Sequence, residues 1–286
     1  MHLFLRLIAA LPLRFLQLIG AGIGELICRY SARYRRIIIE NLKQAGINAD
    51  DAFLDRIGRA SGRQAVEGIW VWYRPAEDVL KRVTISDQTS AMIGDLMRSN
   101  RPIVFMTPHV GCFEVLPVWL AATFFKETGR NISILFRPPK YSVLRKLVGD
   151  ARQAPGIEAC PTTVVGVKKI IRNLRSGHTF GALPDQVPSN GQGVWVDFFG
   201  KPAYTTTLPV RVAHQFDAVR VFAWGKRTNQ GWTLEAEIWD EPLTGNAETD
   251  SRAMNSKIEA IIRRMPEQYV WSYNRYKCPA GVKRPG

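Results

Sequence analysis

Ile103-Val104-Phe105-Met106-Thr107-Pro108-His109-Val110-Gly111-Cys112-Phe113-Glu114 decides how the rest of the chain is read. Four apolar residues running into Thr-Pro predict a buried strand that stops at the edge of its sheet. The polar pair His109 and Glu114 then opens a second apolar stretch, Val115-Leu116-Pro117-Val118-Trp119-Leu120, which reads as a helix. In an open α/β sheet, ligands bind at the carboxyl ends of the strands. A histidine placed there can take a proton near neutral pH, and a nearby carboxylate can fix its tautomer and stabilise the imidazolium. A capping histidine followed by a first-turn glutamate that favours the helix dipole accounts for the same residues without chemistry.

The spacing alone is a weak signal. With four histidines and 25 acidic residues in 286, about one such chain in three holds a chance His-x4-acid match. Five residues beyond His2, His178 and His214 stand Leu7, Leu183 and Val219, so the match is single. Its place at a predicted strand end adds the context that spacing lacks.

Working outward, residues 34–44 and 52–73 carry helical patterns ended by Gly46 and Pro75. Residues 132–136 predict a strand delivering Arg137-Pro138-Pro139-Lys140, and 141–152 a helix. Thr162 or Thr163 caps an amphipathic helix bearing Val164, Val167, Ile171 and Leu174, stopped by Gly177. Residues 180–183 predict a strand ending in Pro184-Asp185-Gln186, followed by a loop at 187–193 rich in Gly, Pro, Ser and Asn. Strands at 219–224 and 232–239 and a helix at 254–265 complete the pattern. Strands alternating with helices predict an α/β single-domain sandwich, its largely parallel sheet flanked by helices. No repeat and no dividing linker interrupts the body.

The chain has 39 basic and 25 acidic residues, net +14, with 46% hydrophobic content. That is ample for one core, and it excludes a disordered tail. The charge implies an anionic partner: nucleic acid, anionic lipid, a phosphorylated substrate or an acidic carrier protein. Cys28, Cys112, Cys160 and Cys278 are scattered, without zinc spacing, and fit a reducing compartment.

Residues 3–27 are rich in Leu, Ile, Phe and Ala but are interrupted by Arg6, Pro12, Arg14 and Glu25. The longest uncharged run spans only about half a bilayer core. Basic Arg29, Arg33, Arg35 and Arg36 follow, which favours a cytoplasmic side. The expectation is an N-terminal membrane-associated helix (1–28), spanning or interfacial, before a catalytic domain (29–286). The alternative is a buried N-terminal helix of a soluble protein.

The chain has no G-x-S-x-G elbow, H-E-x-x-H motif or P-loop. Gly20, Gly22 and Gly24 mimic a dinucleotide fingerprint only inside the apolar N-terminal segment. Cys112 is a conceivable nucleophile but lies on the same turn as His109. A histidine lacking a protein nucleophile points to activation of a hydroxyl on the substrate itself.

Together, Arg35-Arg36 with Asn41-Leu42, His109-x4-Glu114, Arg137-Pro138, Pro184-Asp185-Gln186, Phe198-Phe199-Gly200 with Pro202-Ala203 and Thr205-Thr206, and Pro266-Glu267-Gln268-Tyr269-Val270-Trp271 form an ordered set across the chain. In this set the chain resembles the lipid A biosynthesis acyltransferases, the late lauroyl/myristoyl-type branch of the glycerophosphate acyltransferase superfamily. The resemblance implies transfer of a fatty acyl group from an acyl carrier protein thioester to a hydroxyl of a phosphorylated lipid A precursor. The expected location is the cytoplasmic face of the inner membrane, with no cofactor or metal and no nucleic-acid partner. It implies His109 as catalytic base and Glu114 as its acidic partner, orienting the imidazole and steadying its charge. Arg152 and Asp185 match the other polar residues of the family's site, as substrate-binding groups, and Arg137 is a candidate phosphate or carrier contact. For these three the bland readings are a helix-end charge, a turn residue and an exposed loop arginine. Cys112 stands where many superfamily members have Asn or Ser.

Backbone N–H groups near Gly111 and the helix start are the candidate oxyanion donors. The closing aromatics, Tyr269, Trp271, Tyr273 and Tyr276, are expected to pack on the core or to sit at headgroup depth. Two rival readings remain at this point: an acyltransferase for another glycolipid or a lysophospholipid, and a non-enzymatic basic membrane or nucleic-acid binder.

Overall fold

The strand Ile103–Met106 (β2) is buried at every residue, with its alternate side chains entering two different cores. Val104 and Met106 join one apolar cluster with Phe180, Phe222, Ile258 and Trp271, while Ile103 and Phe105 join another with Trp70, Trp119, Val221 and Trp232. A strand covered on both faces reads as a continuous apolar run, and that is why its sequence shows no alternation.

The computed structural model describes residues 2–136 and 155–285. Its main sheet adds Val83–Ile85 (β1), Ile132–Phe136 (β3), Ile157–Pro161 (β4), Thr179–Ala182 (β5), Val219–Arg227 (β8) and Trp232–Ile238 (β9). The seven strands lie in the order β1-β9-β8-β2-β5-β3-β4. Every neighbouring pair is parallel except β8 with β9. The expected α/β sandwich with a largely parallel sheet is therefore present. A separate hairpin, Gly193–Phe198 (β6) with Lys201–Thr206 (β7), carries the Phe-Phe-Gly turn and was not read from the sequence.

Helices cover both faces. The first four are His2–Ala10 (α1), Leu13–Tyr30 (α2), Ala32–Gln44 (α3) and Asp51–Tyr73 (α4). Ala76–Leu80 (α5) and Asp87–Arg98 (α6) follow. Val115–Leu120 (α7) continues through a π-turn at Ala121–Phe125 and is buried all round, as a helix without a polar face must be. Val164–Arg175 (α8) is capped by Thr163, whose side chain accepts from Gly166 N at 3.3 Å. Leu208–Gln215 (α9) and Ala247–Arg264 (α10) follow later in the chain. The helix expected at 141–152 lies outside the described residues.

The apolar N-terminal segment is two helices rather than one. Pro12, which lacks an N–H and restricts the residue before it, separates α1 from α2 at a bend of 106°. Among the described residues no single helix is long and apolar enough to cross a membrane, although this bent pair passes on length and composition together. One face of α2 buries Leu13 and Leu16 in the second core. The other presents Leu18, Ile23 and Leu26 at 71%, 52% and 55% exposure.

Small residues let α2 sit directly on α4. A Cβ on Gly24 would fall 2.1 Å from Gly58 O, and one on Gly62 would fall 1.9 Å from Gly20 O. Two of the three glycines that mimic a nucleotide motif, Gly20 and Gly24, are thus packing residues at a helix crossing, while Gly22 faces open space.

Candidate active site

Parallel pairing brings two distant turns together. Met106 and Ala182 are register partners at the ends of β2 and β5, and Thr107 N donates to Ala182 O at 2.9 Å. His109 and Asp185 each stand three residues past those ends. His109 Nδ1 lies 2.7 Å from Asp185 Oδ1, and the His109 backbone N–H donates to Asp185 Oδ2 at 2.9 Å. One carboxylate thus holds both the ring and the main chain of the histidine.

The tautomer follows from the partner. An ionised carboxylate only accepts, so the shared proton sits on Nδ1 and Nε2 keeps its lone pair. The exposed Gln186 amide nitrogen, 3.1 Å away, donates to that lone pair. Phe113 meets the imidazole edge to face, with ring centroids 4.7 Å apart. The imidazole is 14% exposed and Asp185 is 2% exposed, so solvent reaches the pair from the histidine side.

Burial on its own would raise the Asp185 carboxyl, but the attraction of the imidazolium that His109 becomes on protonation, with hydrogen bonds from His109, outweighs it and leaves the group below its ordinary value. The same Asp185 charge, after burial, pushes the Tyr269 phenol well up. Fully buried Arg275 lies near enough to interact with Asp185 and is fixed by donating to Tyr204 O at 2.9 Å and Thr205 Oγ1 at 2.7 Å.

The carboxylate on Nδ1, expected to be Glu114, is Asp185. The reason lies in topology: the parallel register delivers the second turn beside the ring, and no local spacing announces it. Glu114 is 8% exposed at the start of α7, facing α4, where a Cβ on Gly68 would be 3.9 Å from its Cγ. Arg137 and Arg152 lie outside the described residues.

The loop after β2 is clamped by the C-terminal motif. Val110 bridges Tyr269, Val270 N donates to His109 O at 3.1 Å, and Gly111 N donates to Gln268 O at 3.0 Å. Gly111 has φ +57°, and a Cβ there would strike Gly225 O at 2.1 Å, so only glycine fits. Cys112 N donates to Gly225 O at 2.8 Å. The N–H groups of Gly111 and Cys112 are thus committed, which leaves only the helix start among the places expected to supply oxyanion donors. Tyr269, Trp271, Arg275 and Tyr276 are all buried, so the closing aromatics form the floor beneath the site. Asn41 ties this segment to α3 by donating to Trp271 O at 2.7 Å and Tyr273 O at 2.8 Å.

Cys112 is 1% exposed, and burial, with Glu67 adding, raises its thiol well above the ordinary value. It is a core residue and no thiolate nucleophile. Beside it, Arg227 pairs with Glu67 in bidentate fashion at 2.5 and 2.7 Å, both side chains buried, while Gln17 of α2 donates to the same carboxylate at 2.7 Å. Gln64, one turn earlier on α4, donates to Gly111 O at 2.7 Å. None of these second-rank residues carries a motif legible without the fold. A cavity of about 510 Å³ by Asn100, Gly129 and His178 opens at the opposite, amino end of the sheet, away from His109.

A strand-edge histidine whose Nδ1 is held by a buried aspartate has the geometry to accept a proton at Nε2. Residues 1–278 match the family described as bacterial lipid A biosynthesis acyltransferase, and the chain belongs to that family. It is an acyltransferase of lipid A biosynthesis. A lipid A biosynthesis acyltransferase of Haemophilus influenzae is 35% identical over 175 residues, which is 60% of this chain and 52% of that protein. A lipid A biosynthesis myristoyltransferase of Escherichia coli K12 is 23% identical over 98% of this chain and 85% of its own length. A lauroyltransferase of the same organism is 23% identical over 96% and 90%.

Proposed function

We propose that the protein transfers a fatty acyl chain from an acyl carrier protein thioester to a hydroxyl of a phosphorylated lipid A precursor, with His109 as general base. The carrying observation is the geometry of Asp185 on Nδ1, which leaves Nε2 as the proton acceptor. The acceptor hydroxyl displaces the Gln186 amide, gives its proton to Nε2 and attacks the thioester carbonyl. Collapse of the tetrahedral intermediate releases the carrier thiol, to which the imidazolium returns the proton. Asp185 holds the ring and offsets its charge, and Glu114 adds negative charge near the helix start. A thioester is activated enough to need no metal or nucleotide.

The site belongs at the cytoplasmic face of the inner membrane. Support comes from the exposed apolar side of α1 and α2, where Leu3, Phe4 and Leu7 join Leu18, Ile23 and Leu26. Val164 and Val165, 71% and 75% exposed at the start of α8, add a second apolar patch at the carboxyl edge of the sheet. The net charge of +14 suits an acidic carrier and a phosphorylated acceptor.

The test is a mass-spectrometric assay of wild type and His109→Ala in membranes, given tetra-acylated precursor and a panel of acyl carrier protein thioesters. One acyl mass added by wild type alone is expected, and its value names the chain. Equal addition by a folded His109→Ala would remove His109 as the base, and no addition by wild type would move the acceptor to another glycolipid or a lysophospholipid.

A further inference from the structure

At the carboxyl end of β8 an open cavity of about 530 Å³ is lined by Arg14 of α2, by Arg56, Arg59 and Arg63 of α4, and by Arg227, against a single carboxylate, Glu267. Positions 56, 59 and 63 share one helix face at i, i+3 and i+7 spacing. Like charges in such a stripe repel unless an anion sits among them.

Pairing within the protein leaves much of this charge open. Arg56 uses its Nε on Glu267 at 2.7 Å, and Arg59 uses its Nε on Glu25 at 2.6 Å, so their outward nitrogens remain available. Arg14 and Arg63 have no ion pair or hydrogen bond among the described residues. Arg63 is half-buried, and burial followed by the charge of Arg227 lowers its pKa; Glu67 acts in the opposite sense but is already bound by Arg227 in bidentate fashion. A guanidinium in that position is complementary to a phosphate, which its planar fork binds through two N–H groups.

Place identifies the kind of phosphate. Leu18, 71% exposed, stands on the rim, so the cavity borders the apolar face of α2. The other wall leads to the active site: Gln268 lines the cavity and its carbonyl takes the Gly111 N–H, while Gln64, beside Arg63, holds Gly111 O. A ligand here has a phosphate in the arginine cluster and apolar chains along α2, two residues of backbone from the base.

We propose that Arg14, Arg56, Arg59 and Arg63 form a subsite for a lipid-borne phosphate, lying between the apolar face of α2 and the loop that carries His109. The assignment of that phosphate to the acyl acceptor rests on the function proposed above; the subsite itself does not.

The test uses the full-length protein in neutral detergent and in nanodiscs, comparing wild type, Arg63→Gln, Arg14→Gln and the double variant. Circular dichroism melts establish folding, and Arg14→Gln, on an exposed position, keeps the test alive if Arg63→Gln unfolds. Direct binding of a phosphorylated tetra-acylated glycolipid and of its dephosphorylated counterpart needs no turnover, so its outcome is separate from that of the activity assay. In detergent, the expected result is a loss of about tenfold or more in affinity for the phosphorylated glycolipid, with no change for the dephosphorylated one. If the variants instead lose binding only to phosphatidylglycerol nanodiscs, with phosphatidylcholine nanodiscs and the glycolipid unaffected, the subsite holds and its phosphate is that of a bilayer lipid. Unchanged binding in both arms, or an equal loss for the phosphorylated and dephosphorylated glycolipids, overturns it.

Discussion

His109 and Asp185, 76 residues apart in sequence, are joined by two hydrogen bonds of 2.7 and 2.9 Å because each stands three residues past the end of a strand in the same parallel pair. Replacing either partner therefore has a defined cost. His109→Ala removes the base, and Asp185→Asn leaves the ring without its carboxylate and permits the wrong tautomer. Each is expected to lower kcat by ~10²–10⁴-fold. Steady-state assays beside a thermal melt check this, and a folded His109→Ala with wild-type turnover would refute it.

Asp185 also ties stability to acid. Its native pKa is below the ordinary 3.8, so its contribution is fully present above that value and lost as pH falls through the native one. Urea midpoints of wild type and Asp185→Asn should differ by a constant amount from pH 7 to about 5, and the gap should close below about 4. A gap that widens with acid would reverse the sign assigned here.

Much of this site was legible in the sequence, and the missing part has a physical cause. The strand Ile103–Met106, the turn carrying His109 and the Pro-Asp-Gln turn at 184–186 all announce themselves locally, by an apolar run and by turn residues. That Asp185 rather than Glu114 meets Nδ1 depends on β5 lying beside β2, and only the sheet order supplies that. The strand β4 was missed because Ile-Glu-Ala-Cys-Pro lacks a clear period, and β1 because three residues are too few to show one. The hairpin β6–β7 hid in a segment read as loop and motif.

The buried pair Glu67–Arg227 should behave as a unit. Arg227→Met strands a carboxylate at 0% exposure and is expected to cost ~3–5 kcal/mol. Adding Glu67→Leu should recover much of it, since an apolar pair of similar volume is often neutral. Denaturant titrations of the three variants read the coupling.

Two glycines of α2 should respond with opposite sign. Gly24→Ala drives a Cβ to 2.1 Å from Gly58 O and must part the helices, at a cost of ~1–3 kcal/mol. Gly22 has nothing within 4 Å, so Gly22→Ala should gain up to ~1 kcal/mol from helix propensity alone. Paired thermal melts decide it.

Cys112→Ala should keep turnover within about twofold of wild type, because the thiol is a packed core group and forms no acyl intermediate. Loss of activity with an intact melt, or a trapped acyl-thioester on Cys112, would restore a nucleophilic role.

The contact of α2 with α4 has a practical consequence. Leu13 and Leu16 belong to the same core as Phe105 and Trp232, and Gln17 reaches the Glu67 that holds Arg227. Deleting the first thirty residues to obtain a more tractable protein would uncover the glycine face of α4, strip two leucines from the interior and take a donor from a buried carboxylate. The oily leader is a wall of the building, so a shortened chain would lose stability before it gained solubility.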